Sequence, residues 1–211
     1  SMVVSNHSLI KLVVNRENML VHEKVIEEVM KEFDNVLPVR FGTIAYSADE
    51  TRNLLDRRYR EFKNLLRDME HKIELGVKGI WKNMSVIFEE IIEENNEIKK
   101  IKKEIQNNNE KKTIETKIKI GKMVEKALAK KKERETQKIV EILRRITFSY
   151  KLNKTIGGDE MFMNASFLVD KGREKEFDNI MDDLSDEYKD KIKFMYAGPL
   201  PPFNFANITI Y

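Results

Sequence analysis

The sequence predicts an α+β protein in which two small sheet domains are joined by a long helical hairpin. Three observations carry this. Helix-period and strand-period segments alternate through the first part of the chain and again through the last. Between them lies a stretch with a helical period and no strand alternation. Charged residues make up 36% of the 211-residue chain, against roughly 25% in ordinary domains, as long Lys/Glu-rich helices would require. The predicted blocks are residues 1–83, 84–150 and 151–211.

Glu17 to Phe33 carries Val21, Val25 and Val29 at a spacing of four, flanked by Ile26, Met30 and Phe33. That is the period of an amphipathic helix. In "NVLPVRFGTIAY", Leu37, Val39, Phe41 and Thr43 share one face of an alternating run. It reads as a strand, with Pro38 marking an edge or a bulge. Ser47 with Glu50 three residues on is a capping-box pattern. The helix it opens keeps the period through Leu54, Leu55, Tyr59, Phe62, Leu65, Leu66 and Met69. "KIELGVKGIW" then alternates, with Ile73, Leu75, Val77, Gly79 and Trp81 on one face, which reads as a second strand. Helix–strand–helix–strand is the pattern of a sheet domain ending near residue 82.

In the middle block, Met84, Ile87, Ile91, Ile98, Ile101 and Ile105 fit a heptad seam broken only at Glu94. "QNNNEKK" at 106–112 supplies a turn, and a second helical stretch runs on to about Tyr150. Its apolar positions cluster at 114–128 and 139–146. The intervening "AKKKERETQK" is polar all round and is expected to stand in solvent.

After the "IGGD" loop, Met161, Met163, Ala165, Phe167 and Val169 alternate with Phe162, Asn164, Ser166 and Leu168, a strand apolar enough for an interior place. A helix over about 172–188 turns Phe177, Ile180, Met181 and Leu184 inward. Ile192, Phe194 and Tyr196 form another strand, so this block reads as a βαβ unit; "NITIY" adds Ile208 and Ile210 as a closing strand.

The absence of cysteine excludes disulfides, thiolate nucleophiles and Cys-bound metals. His7, His22 and His71 share no ligand spacing, and no phosphate-loop, dinucleotide or nucleophile-elbow motif occurs. No catalytic residue, cofactor or metal is therefore nominated. No apolar run reaches the roughly 20 residues of a membrane span, and "SMVVSNHSLIKLVV" lacks the features of a signal peptide, so a soluble cytoplasmic protein is expected. Ser1, before Met2, reads as an appended residue.

Residues 111–145 hold 13 Lys/Arg against five Glu, enough to follow a phosphate backbone. No aromatic residue is interleaved for base stacking, however. The five Glu of 89–97 and the nine Asp/Glu of 170–190 offer an internal or subunit counterweight. A nucleic-acid or anionic-surface binder acting through 111–145 is the alternative function.

"HEKVIEEVM…NVLPVRFGTI" (His22 to Ile44) and "AGPLPPFNF" (Ala197 to Phe205) together resemble the gas vesicle protein family GvpF/GvpL. "LLDRRYREFKNLL…ELGVKGIW" and "NASFLVDKGREKEFDNIMDDL" fit the same family in the same order. The resemblance implies a ferredoxin-like N-terminal domain and a mixed α/β C-terminal domain. Family members usually carry a further strand upstream of Val3 to Ser5, which implies an N-terminal sheet that is naturally short or truncated here. It implies a non-enzymatic accessory protein of gas vesicle assembly, in the cytoplasm before assembly. The implied partners are the hydrophobic shell protein and other accessory proteins; membrane and nucleic acid are not among them, and self-association is compatible with it.

Within these motifs, Leu37, Val39 and Phe41 read as core, while Arg40 falls on the opposite face and is a candidate contact residue. In the tail, Gly198 and Pro199 can end a strand, and Pro201-Pro202 can stiffen an extended connection. Leu200, Pro201, Pro202, Phe203 and Phe205 then form either a rigid crossover packed on the sheet or a pre-ordered apolar ridge for a partner. Local chemistry favours the brace.

Overall fold

A computed structural model describes residues 1–8, 12–107, 113–206 and 208, the side chains of 104–107 and 113 excepted. The element order is α1 (Arg16–Glu32), α2 (Ala48–Arg57), α3 (Tyr59–Asp68), β1 (Lys72–Trp81), α4 (Met84–Glu94), α5 (Asn96–Asn107), α6 (Thr113–Leu143), β2 (Ser149–Leu152), β3 (Met161–Asp170), α7 (Glu174–Glu187) and β4 (Ile192–Leu200).

The chain is mixed α/β, as predicted, but its strands are not divided between two sheets. Among the described residues they form one four-stranded antiparallel sheet, in the order β2-β3-β1-β4. β1 comes from the N-terminal part of the sequence and lies between two strands from the C-terminal part. β3 and β4, joined through α7, are therefore parallel to each other with β1 inserted between them, a split βαβ arrangement. The reason is visible in β1 itself. Ile73, Leu75, Val77, Gly79 and Trp81 are buried on one face and Glu74 on the other, with Gly76 and Ile80 half-buried beside it, which suits an interior strand rather than the edge of a small sheet. Residues 1–83 contribute only this strand among those described, so the ferredoxin-like sheet expected there is not formed by that segment.

The predicted strand at 37–43 is absent. Its backbone groups are taken locally: Thr43 donates its N–H (3.2 Å) and its hydroxyl (2.8 Å) to the Arg40 carbonyl. His22 Nε2 donates to the Val39 carbonyl at 2.8 Å, and Pro38 has no N–H to give. Arg40 to Thr43 is a turn with Gly42 at φ +82°, so the alternation of "VLPVRF" reports a packed loop. The Ser47 cap forms as expected, with the Glu50 N–H on Ser47 Oγ at 3.1 Å; the Glu50 carboxylate reaches back one residue further than the cap, to the Tyr46 N–H. The helix it opens is broken at Arg58 into α2 and α3.

The chain divides into two compact units. Unit 1 comprises Ser1–Leu75, Leu168–Glu174 and Ala197–Tyr211; unit 2 comprises Gly76–Phe167 and Lys175–Tyr196, and so contains all of 84–150. In unit 2, the aromatic core is built on β3. Phe162 stacks on Trp81 (centroids 5.0 Å), and Phe167 lies 5.5 Å from Phe177 of α7, which stacks in turn on Tyr196. Burial of Trp81, Phe162, Phe167 and Phe177 contributes about 1.5–3 kcal/mol each, whereas Tyr196 is 38% exposed.

The helical block is a hairpin whose first arm is broken. Asn95 accepts from the N–H groups of Glu97 (3.1 Å) and Ile98 (3.2 Å), ending α4 and capping α5. Ile87, Ile91, Ile98 and Ile101 of the predicted seam are buried, and α4 and α5 both pack on α6. The Ile105 side chain and most of the predicted turn lie outside the described residues, as does most of the predicted closing strand at 207–211. α6 ends at Leu143, earlier than predicted, and Ser149–Leu152 is an edge strand that the helical pattern concealed. In unit 1, Ile26 is the buried residue of α1, while Val21 and Val25 face outward against expectation.

Candidate functional site

Two constructions hold chemistry together, one in each unit. In unit 1 the tail is fastened to β1. Gly198 has φ +153°, and a Cβ there would lie 2.5 Å from Leu75 Cδ2 and 3.2 Å from the Glu74 carbonyl oxygen, so only glycine fits. β4 does not end at Gly198 and Pro199 as predicted but runs through their cis peptide bond to Leu200. Beyond it the chain coils rather than extending. The N–H groups of Phe205 (3.1 Å) and Ala206 (2.9 Å) both reach the Pro202 carbonyl.

This coil aims Asn204 at Glu74, a β1 side chain only 3% exposed. The Asn204 N–H donates to Glu74 Oε2 at 2.8 Å, and its side-chain amide donates to Oε1. A carboxyl group this buried needs such partners, because desolvating it unpaired costs several kcal/mol. Among the candidate residues, Pro201 and Pro202 are buried, Leu200 and Phe205 half-buried, and Phe203 is 37% exposed. Arg40 is exposed on its turn. Leu200 to Phe205 thus form one connected segment, and Arg40 lies on the separate turn at 40–43. Asn204 leaves no mark in the sequence, because an amide between two phenylalanines carries no periodic signal.

In unit 2 the polar stretch predicted to stand in solvent is packed. Lys131, Glu135 and Thr136 are buried on α6, Lys131 at 4% exposure. Lys131 Nζ lies 2.9 Å from Glu90 and 2.8 Å from Glu94 of α4. Arg134 pairs with Glu94 at 3.0 Å, and Lys191, just before β4, pairs with Glu90 at 2.9 Å. Thr136 donates to the Phe162 carbonyl at 2.9 Å, tying α6 to β3.

The network sets the charge states. Burial alone would raise the Glu90 carboxyl, but hydrogen bonds from Lys191 and Lys131 outweigh it and hold the group below the ordinary carboxylate range. Glu94 is lowered first by the bond from Lys131, against burial and with help from Arg134. Burial would lower Lys131; the bonds to Glu94 and Glu90 more than offset it and raise the group. The internal counterweight read from 89–97 is therefore used. The signal for it was present: Leu128, Lys131, Glu135 and Ile139 continue one helical stripe, and Glu90 and Glu94 stand one turn apart on the facing helix.

This arrangement neutralises charge inside a helical module and presents no nucleophile with its base. Among the described residues no cluster of three or more His, Asp or Glu could hold a metal ion, and no helix is long and apolar enough to cross a membrane.

The family model described as "Gas vesicle synthesis protein GvpL/GvpF" matches residues 1–207. The chain belongs to the GvpL/GvpF family. It is 24% identical to gas vesicle protein F of Microcystis aeruginosa, with 94% of this chain and 80% of that protein covered. It is 28% identical to gas vesicle protein F1 of Halobacterium salinarum, covering 92% and 71%. The crystal structure of GvpF from Anabaena sp. PCC7120 superposes with a TM-score of 0.83 at 22% identity, over 97% of this chain and 83% of that one. That of GvpF from Microcystis aeruginosa gives 0.77 at 24%, over 94% and 81%. The GvpF fold, one sheet with interleaved halves, is thus shared, and the family gives the chain a gas vesicle-related role. The two motifs that carried the resemblance are placed in unit 1: one is the His22-anchored turn, the other the tail fastened by Asn204.

Proposed function

We propose that this GvpL/GvpF member is a non-enzymatic accessory component of gas vesicle assembly that binds the hydrophobic shell protein and other accessory proteins. The match of the family model over residues 1–207 carries the reading. Phe203 is the solvent-facing member of the tail, Leu200 and Phe205 are half-buried beside buried Pro201 and Pro202, and Arg40 on its own turn is a separate candidate contact. In a pull-down with purified shell protein, the wild-type chain retains it and the Phe203→Ser, Phe205→Ser variant loses it while keeping its circular dichroism. Equal retention by wild type and variant removes this surface from consideration. The alternative, nucleic-acid binding through 111–145, is weaker because Lys131, Lys132 and Arg134 are engaged by Glu90, Glu94 and Asp159. A tight, salt-sensitive gel shift on DNA or RNA, with no shell protein retained, reverses the ranking.

A further inference from the structure

α6 carries a glycine that nothing in the chain explains. Gly121 sits inside a 31-residue helix, where glycine costs about 1 kcal/mol relative to alanine. A Cβ added there meets no atom within 4 Å, so no internal packing demands its absence. The space it leaves is the floor of an open groove of about 460 Å³ lined by Phe88, Gly121, Val124, Leu128 and Lys132, with Asp159 beside Lys132 at one end. The same stripe of α6 continues N-terminally as Ile118 and Ile114, both exposed. An apolar channel with a backbone-deep notch is the form that receives a helix face. Its surroundings are basic. Lys117, Lys122, Lys126 and Lys130 have no ion-pair partner among the described residues, whereas Asp159 is paired with Lys132 at 3.2 Å, leaving Glu125 as the acidic group on the lining.

The complementary surface is on α1. Val21 (61% exposed) and Val25 form an apolar stripe one turn apart, turned away from buried Ile26. Glu17 and Glu32 extend the same stripe, with Glu28 between them paired to Lys31 at 2.7 Å, so an aliphatic centre is bracketed by carboxylates at helical spacing. Both surfaces are exposed. Each has the polarity, the period and the opposite charge that the other lacks.

The geometry points to self-association in which the acidic, valine-striped α1 of one copy lies in the basic groove along α6 of a second copy. A single such contact leaves a groove free on one copy and an α1 free on the other, so association either closes reciprocally into a dimer or continues to rings and filaments. This does not rest on the shell-protein reading.

The test uses the full chain in sedimentation velocity over a range of concentrations and salt. Wild type should show a mass that rises with concentration and falls with added salt. Gly121→Leu fills the notch, and Val21→Lys with Val25→Lys places like charge against the groove; each should weaken association by at least about tenfold. Both replace residues with better helix formers at exposed positions, and unchanged helicity and melting temperature confirm the fold. Ile118→Ser serves as a second groove variant with a smaller loss. Mixing the Gly121→Leu chain with the Val21→Lys, Val25→Lys chain should restore pairing, since one supplies an intact α1 and the other an intact groove, and should halt at dimers. A wild-type chain that stays monomeric throughout overturns the proposal. So does undiminished association of the variants, or a mixture that pairs no better than either variant alone.

Discussion

The helical module of unit 2 and the α1 region of unit 1 invert the usual rule of burial in opposite ways. In unit 2 a run that is polar on every side places Lys131, Glu135 and Thr136 inside. In unit 1 an amphipathic helix leaves Val21, Val25, Met19 and Leu20 outside. Burial in the first region follows from a partner: Glu90 and Glu94 stand where Lys131 arrives, so its ammonium is desolvated without being unpaired. Exposure in the second follows from the lack of one among the described residues. Hydrophobicity sets the tendency of a residue to be buried, but the facing element decides which residues are.

The sharpest way to break this contrast is to remove the partner in unit 2. Glu90→Gln with Glu94→Gln leaves Lys131 buried without a counter-charge and should lower unfolding stability by about 3–5 kcal/mol in chemical denaturation. Lys131→Met should cost far less, because Glu90 keeps Lys191 and Glu94 keeps Arg134. Equal losses would mean that Lys131 is solvated after all. The next effect lies in unit 1, where burial of charge is again conditional. Asn204→Leu removes the side-chain donor to Glu74 Oε1 while the backbone N–H to Oε2 remains, and should cost about 1–3 kcal/mol; adding Glu74→Leu should recover most of it.

A smaller effect is the dependence on pH. The lowered carboxyls of Glu90 and Glu94 contribute stability that is present above the unfolded-state value of about 4.3 and lost as pH falls through their folded values. The raised Lys131 contributes below about 10.4 and loses that contribution as pH rises through its folded value. Thermal melts should therefore show a plateau between these limits, with an acid decline that is shallower in the Glu90→Gln, Glu94→Gln variant. Smallest of all, Val21→Lys with Val25→Lys should change the stability of the monomer by no more than about 0.5 kcal/mol, since little apolar surface is lost from the interior. A large loss there would show that the α1 stripe is core.

Much of the fold was legible because it follows local rules. The Ser47 cap, the isoleucine seam of α4 and α5, the inward face of α7 and the doubly apolar β3 all appear where periodicity places them. The errors share one cause, which is that a pattern states polarity and not partners. The alternation at 37–43 is real, yet His22 and Thr43 consume the backbone groups a strand would offer. The tail motif was legible as a brace in outline, through Pro201 and Pro202, but its fastening is the backbone N–H and side-chain amide of Asn204, which only the fold brings to Glu74.

The sequence by itself determined the helical and strand periods, the absence of cysteine chemistry and the motifs that carry the family likeness, because each is written within a few neighbouring residues. Only the tertiary structure decided that β1 lies between β3 and β4, that Lys131 is inside, and that Asn204 closes on Glu74. Those choices pair residues from about 40 to 130 positions apart. The free energy of a contact at such separation depends on what the rest of the chain brings to meet it, which no local pattern encodes.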